Sequence, residues 1–199
     1  MKIVLATRNK DKVREMKEIL RAMPVKVFSM LDLGRTPNVR EDKRTFRENA
    51  AKKAAAFLKF FLLPSVADDS GLEVDVLQGA PGIRSARFAG RNATKEMLCN
   101  KVLKLLKGVP PSKRTARFVC NIALALPEGK VRVLEGIVEG RIASEMRGKN
   151  GFGYDAIFVP RGHKRTFAQM KPAMKNRLSH RARALKKLKA LLRKMIAYA

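Results

Sequence analysis

Thr115-Ala116-Arg117-Phe118-Val119-Cys120-Asn121-Ile122-Ala123-Leu124-Ala125-Leu126 alternates strictly enough to decide how the chain is built. Ala116, Phe118, Cys120, Ile122, Leu124 and Leu126 fall on one face, the period-two signature of a strand. The turn Pro127-Glu128-Gly129 leads into a second extended stretch, Val131 to Ala143, so the pair reads as a long antiparallel hairpin. Upstream the rhythm differs. Residues 3–7 read as a buried strand, and Val13, Met16, Ile19, Leu20 and Met23 then recur at helical spacing. Val25 to Phe28 reads as another strand after Pro24. Thr45 and Glu48 have the form of a capping box, followed by Phe46, Ala50, Ala54, Phe57 and Phe61 along one helical face. Pro64 ends that helix, and Ser65-Val66-Ala67 is short enough for a central strand. Thr94 caps a helix whose apolar face is Met97, Leu98, Val102 and Leu105. Met174, Leu178, Leu185, Leu188, Leu192 and Ile196 mark one long terminal helix, with Pro172 in its first turn. Strands alternating with helices, joined to a hairpin, imply an α/β fold with a mixed sheet, split into two lobes with a cleft between them. No repeat or Ser-rich linker divides the chain, so residues 1–199 are expected to form one domain.

Composition narrows the function classes. The chain has 199 residues, of which 46% are hydrophobic, enough for a real core. No apolar run reaches the length that crosses a bilayer, and the stretch from Met1 meets Arg8 too soon for a signal-peptide core. Cys99 and Cys120 are the only cysteines, which suits thiols in a reducing compartment and a cytoplasmic location. His163 and His180 are the only histidines, which nearly excludes a metal site built on His and Cys. Charge is the unusual feature: 44 Lys and Arg against 17 Asp and Glu give +27. No acidic residue follows Asp155, while that tail holds 13 Lys or Arg. Such a surface attracts polyanions, unless it is simply a solvated basic face.

Four polar segments sit where strands end or helices start. Thr7-Arg8-Asn9-Lys10-Asp11-Lys12 follows the first strand and opens the first helix, where backbone N–H groups with Thr and Lys side chains make an anion site. An ordinary polar turn reads the same way. Asp68-Asp69-Ser70-Gly71 places two carboxylates at the end of an apolar strand, which is costly unless something compensates their charge. A hard cation such as Mg²⁺ would do so; alternatively, the aspartates cap a turn. Asn150-Gly151-Phe152-Gly153-Tyr154-Asp155 lets backbone and rings approach a flat ligand, or forms a hairpin turn with one anchoring aromatic. In Lys175-Asn176-Arg177-Leu178-Ser179-His180-Arg181, the residues Lys175, His180 and Arg181 lie off the apolar stripe, facing either a cleft or solvent.

Taken together, these runs resemble the inosine triphosphate pyrophosphatase, or Ham1-like, family. The resemblance covers essentially the whole chain in order. It rests on Leu5-Ala6-Thr7-Arg8-Asn9-Lys10, Thr45-Phe46-Arg47-Glu48-Asn49-Ala50, Ala67 to Asp75, Gly79-Ala80-Pro81-Gly82, Ser85 to Gly90, Asn150 to Asp155 and Ser179-His180-Arg181-Ala182. It implies an elongated central sheet flanked by helices, with the active site in the cleft. The implied activity is hydrolysis of ITP, dITP and XTP to the monophosphate and pyrophosphate, with Mg²⁺ as cofactor and a homodimer as the usual state. Carried over by position, Thr7, Asn9 and Lys12 would hold phosphate, with Lys53 reaching in from the second helix. Asp69 would be the general base or metal-bound carboxylate, with Asp68 beside it. Glu41 would be the second metal ligand, with Asp42 adjacent. Ser70 would contact substrate. Phe152, Gly153, Tyr154 and Asp155 would form the base pocket, closed by Lys175, His180 and Arg181. Donors facing O6 of the base, from Arg181 or nearby backbone N–H, would be left unpaired against adenine.

Met146 and Ala156 stand where that family usually has proline, and Arg84 where tyrosine is common. Members of the family are generally far less basic, so the charge is not explained by the shared function. Two other readings compete with the hydrolase: a nucleic-acid-binding protein, motivated by the basic tail, and the related Maf-type nucleotide pyrophosphatase with a different base preference. Phe57 to Leu63 is the stretch expected to contribute to a dimer.

Overall fold

Alternation along three strands sends hydrophobic side chains to both faces of one sheet, and that decides where the helices pack. The computed structural model describes residues 1–34 and 36–197. In chain order the main elements are β1 (Lys2–Leu5), α1 (Lys10–Leu20), β2 (Lys26–Ser29), α2 (Phe46–Phe61), β3 (Ser65–Val74), α3 (Lys95–Leu105), β4 (Thr115–Ala125), β5 (Val131–Ile142), β6 (Phe158–Pro160), α4 (Pro172–Leu178) and α5 (His180–Ala197). The sheet runs β2-β1-β3-β4-β5-β6. β1 pairs in parallel with β2 and β3, whereas β5 and β6 are antiparallel, so the sheet is mixed as its sequence implies. β4 and β5 are neighbours joined through a tight turn closed by Leu126 N–H donating to Lys130 O (3.0 Å).

The chain resolves into two compact units. The first comprises Met1–Asp69, Cys120–Gly136 and the chain from Arg181 onward. Here Ile3 and Leu5 of β1, Val66 of β3 and Cys120, Ile122 and Leu124 of β4 bury against Met16 and Leu20 of α1 and Leu185, Leu188 and Leu192 of α5. The intervening residues Val4, Ala67, Ala123 and Ala125 turn to the other face and meet Ala50, Ala54 and Phe57 of α2. The second unit comprises Ser70–Val119 and Ile137–His180. Its core joins Leu72 and Val74 of β3, Leu98, Cys99 and Val102 of α3, and the ring cluster Phe118, Phe158 and Phe167.

Local signals account for the helix starts. Asn9 caps α1, its Oδ1 accepting from Asp11 N–H (2.9 Å) and Lys12 N–H (3.1 Å). At α2, Glu48 N–H donates to Thr45 Oγ1 and Thr45 N–H to Glu48 Oε2, both at 3.1 Å, which completes the capping box.

Three expectations are corrected. β3 does not stop at Ala67 but continues through both aspartates to Val74, so the carboxylates lie inside a strand. The terminal helix is two helices, because Ser179 is extended (ψ 157°) and interrupts the turn after Leu178. Met97, Leu105 and Met174 are exposed rather than core residues. The buried arc of α3 is Leu98, Cys99 and Val102, and α4 buries Lys175.

Candidate active site

Because successive side chains of a strand point to opposite faces, Asp68 and Asp69 enter different surroundings. Asp68 turns to the side of α1 and α5. It is fully buried, with Lys12 Nζ against Oδ1 and with Arg181 Nε and Cys120 Sγ each 3.0 Å from Oδ2. Arg181, 1% exposed, also donates from Nη1 to Glu15, which is itself buried. Two cations and two carboxylates thus balance, the condition under which buried charge is tolerated. Burial alone would raise the Asp68 pKa, but Arg181 and Lys12 outweigh it and hold the carboxyl well below the usual range. Burial, with Asp68 beside it, pushes the Cys120 thiol well up, so it stays protonated and donates. These partners favour the charged form of Asp68.

Asp69 turns to the α2 side and is held differently. Burial pushes its carboxyl up to about 6; the negative charges of Glu41 and Asp68 add to this, and Lys53 and Lys12 pull against it. Lys53, buried on α2, pairs with Glu41 and donates to the Asp68 carbonyl oxygen (2.6 Å). Glu41, not its neighbour, faces this centre: Asp42 instead bonds Lys52 (2.7 Å) at the surface. A cavity of about 180 Å³ opens here, lined by Thr7, Arg8, Asn38, Glu41 and Lys53 among others. Thr7 Oγ1 accepts from Asn9 N–H (3.3 Å), so the hydroxyl and the helix cap stand side by side at the start of α1.

Among the described residues, no group of three or more His, Cys, Asp or Glu side chains could hold a metal. The donor pair that does occur, Asp69 with Glu41, consists of two carboxylates, with Lys53 paired to Glu41 beside them. Both carboxylates lie within the field of Lys53, and Lys12 also acts on Asp69. Two hard oxygen donors fit Mg²⁺, which binds through one or two carboxylates and completes its shell with water and substrate phosphates.

The second unit holds the remaining predicted residues. Asp155 is a clamp: its Oδ2 accepts from Phe152 N–H (2.9 Å) and from Lys175 Nζ (2.5 Å). The same ammonium lies 4.5 Å from the Phe152 ring centroid, so ring and cation are fixed together. Gly151 (φ 73°) is required twice over, since a Cβ there would also collide with the Asp155 carboxylate. Phe152 and Gly153 remain half-exposed, whereas Tyr154 is buried and its hydroxyl donates to Ser85 O (2.8 Å). Burial raises the Tyr154 pKa, which keeps that donor protonated. His180 stacks on Phe118 with centroids 4.6 Å apart and planes 10° apart. Ser70 is half-buried on β3 directly after Asp69.

The structure therefore gathers Thr7, Asn9, Lys12, Glu41, Lys53, Asp68, Asp69 and Arg181 in the first unit. Ser70, Phe152, Gly153, Tyr154, Asp155, Lys175 and His180 lie in the second. Lys175, His180 and Arg181 are buried rather than solvated. The sequence places Cys120 only in the apolar stripe of its strand and gives Glu15 one signal, its place three residues after Lys12 on the same helical face. A larger cavity in the second unit, about 550 Å³ beside His163, Lys164, Arg165 and Lys171, is lined by none of these residues and by no carboxylate. No described helix is long and apolar enough to cross a membrane.

Comparison with known proteins bears on this arrangement. A sequence model of the Ham1 family matches residues 3–191. The dITP/XTP pyrophosphatase of Desulforamulus reducens is 47% identical over 195 residues, covering 98% of this chain and 97% of that protein. The dITP/XTP pyrophosphatase of Bacillus subtilis is 46% identical over 189 residues, covering 95% and 96%. Among solved structures, a HAM1 protein from Coxiella burnetii gives a TM-score of 0.89 at 43% identity, covering 98% of this chain and 99% of that one.

Proposed function

Because the chain belongs to the Ham1 family, we propose that it hydrolyses ITP, dITP and XTP to the nucleoside monophosphate and pyrophosphate, removing them from the nucleotide pool. The observation that carries this reading is Asp69: a buried carboxyl pushed up to about 6, beside two lysines and a second carboxylate. A carboxylate within hydrogen-bond reach of the attacking water can act as its general base. Asp69 takes a proton from the attacking water as the water oxygen bonds to phosphorus. The bridging bond between the α- and β-phosphates breaks, and pyrophosphate leaves with the electron pair.

The other groups bind and orient. Lys53 donates to Glu41 and to the Asp68 carbonyl, and its third N–H serves a phosphate oxygen. Lys12 and the N-terminus of α1, with Thr7 and Asn9, supply further donors for the polyphosphate. Glu41 and Asp69 would hold Mg²⁺, whose bound charge would stabilise the phosphates and acidify the water. Arg181 acts through Asp68, fixing the strand from which Asp69 projects. In the second unit, Phe152 offers its ring to the purine, with Lys175 and Asp155 fixing that ring. Gly153 leaves the backbone open to the ligand, Tyr154 anchors the turn through Ser85, His180 stacks on Phe118, and Ser70, directly after Asp69 on β3, contacts substrate. Arg181, bound to Asp68 and Glu15, is not placed to face O6 of the base as the resemblance implied, so selection of oxo-purines over adenine falls to backbone N–H groups. Residues 1–199 act as a single catalytic domain in the cytoplasm.

The test is pyrophosphate release with Mg²⁺ across a panel of dITP, XTP, dATP, dGTP and modified pyrimidine triphosphates. Turnover concentrated on dITP and XTP is expected; turnover concentrated on modified pyrimidines would favour the Maf-type reading. We further propose a homodimer using the exposed Phe60 and Leu62 at the end of α2. Light scattering that finds only a 22.3 kDa species would contradict it.

A further inference from the structure

Most of the cation excess lies outside the candidate site. Helix α5 carries seven Lys or Arg and no Asp or Glu. Leu185, Leu188 and Leu192 are wholly buried on its inner face. At 100° per residue, Arg183, Lys186, Lys187, Arg193 and Lys194 fall on the opposite, exposed face. With a rise of about 1.5 Å per residue, these five span roughly 16 Å. Helix α1, which packs on the same core, adds exposed Lys10 and Arg14, with exposed Arg21 directly after it. The acidic groups nearby are few. Asp11 is bound to Arg14 (2.6 Å), Glu18 is exposed on α1, and Glu135 offers its carbonyl to Lys187 (2.7 Å) and its carboxylate to Asn121.

We propose that this outer face of α5 is a docking surface for the phosphate backbone of duplex DNA, bound without regard to sequence. The row carries roughly one cation per 3–4 Å, close to the ~3.4 Å spacing of phosphates along one strand of a duplex. The helix sequence contains no Phe, Tyr or Trp, so it has no platform for the unstacked bases of a single strand. It also has no Ser, Thr, Asn or Gln to read base edges or the 2′-hydroxyls by which duplex RNA is recognised. Its apolar face is committed to the core, so nothing remains to enter a bilayer. The inference does not depend on the proposed hydrolysis.

Binding of the full chain to a fluorescent DNA duplex of arbitrary sequence, measured against salt, tests it. Four phosphate contacts, by Lys186, Lys187, Arg193 and Lys194, predict a log–log slope of about −3 to −4, a loss of roughly 10²-fold between 50 and 200 mM salt. The triple variant Lys186→Gln/Arg193→Gln/Lys194→Gln should reduce the slope by about 2 to 3 and keep wild-type pyrophosphate release. The triple Lys104→Gln/Lys107→Gln/Lys113→Gln removes the same charge from exposed positions of the second unit and should leave the slope unchanged. Equal losses in both variants would mean that only total charge matters, which overturns the proposal. So would tighter binding to phosphatidylserine-containing vesicles, or to single-stranded DNA, than to the duplex at matched salt. Circular dichroism establishes that both variants are folded.

Discussion

Asp69→Asn should make this protein more stable while destroying its activity. The folded carboxyl titrates near 6, against a reference of 3.8. Below pH ~4 it is neutral in both folded and unfolded chains, so it contributes no difference. Between about 4 and 6 the unfolded chain releases the proton while the folded chain retains it, and wild-type stability falls as pH rises. Above 6 the full cost remains: the gap from 3.8 to about 6, at about 1.36 kcal/mol per pH unit, is on the order of 3 kcal/mol. An amide of nearly the same shape removes the charge and therefore this cost. Urea denaturation in EDTA, at pH 7.5 and again at pH 4.5, is the assay. The Asp69→Asn variant should unfold at higher urea than wild type at pH 7.5, with most of the gain gone at pH 4.5. Added Mg²⁺ should narrow the gap by stabilising only wild type. A gain that is absent, or the same at both pH values, would refute the idea that Asp69 is held at electrostatic cost.

Three further outcomes follow from the same geometry. Lys53 pulls the Asp69 pKa down, so Lys53→Met should move the acid limb of kcat/KM to higher pH, as well as lowering the rate; a pH–rate profile with an unmoved limb would contradict the pairing. Arg181→Met leaves Asp68 and Glu15 buried without their shared guanidinium and should cost about 3–5 kcal/mol, read from thermal or urea unfolding. Gly151→Ala should displace the Asp155 carboxylate and loosen Phe152, raising KM for dITP more than it lowers kcat in steady-state kinetics.

The elements built from local rules were legible in the sequence: the β4–β5 hairpin from its alternation, α2 from its capping box, and β1 with α1 from their periods. The misses share a cause, in that distant residues decided them. Asp, Ser and Gly disfavour strands, so β3 reads as ending at Ala67. It continues because Asp68 meets Arg181, 113 residues away, and Cys120, 52 away. No local pattern announces those partners. Leu178 and Leu185 are seven apart, a spacing that fits one continuous helix and conceals the extended Ser179 between them. Met97, Leu105 and Met174 were drawn into apolar stripes by type, whereas the small Cys99 and the charged Lys175 occupy the buried arcs. At the site, residue types in Asp68-Asp69 pointed to compensated charge. They did not say which aspartate is the anchor and which the poised group. The alternation of β3 sends the two carboxylates into differently charged surroundings, which is consistent with the part that the family resemblance gives Asp69.

Single-turnover hydrolysis of dITP with Mg²⁺, comparing wild type with folded Asp69→Asn, tests the central claim most directly. A loss of about 10³-fold or more in the rate of pyrophosphate formation, with dITP still bound, is predicted. An Asp69→Asn variant that turns over within a few-fold of wild type would contradict the assignment of Asp69 as the group that activates water.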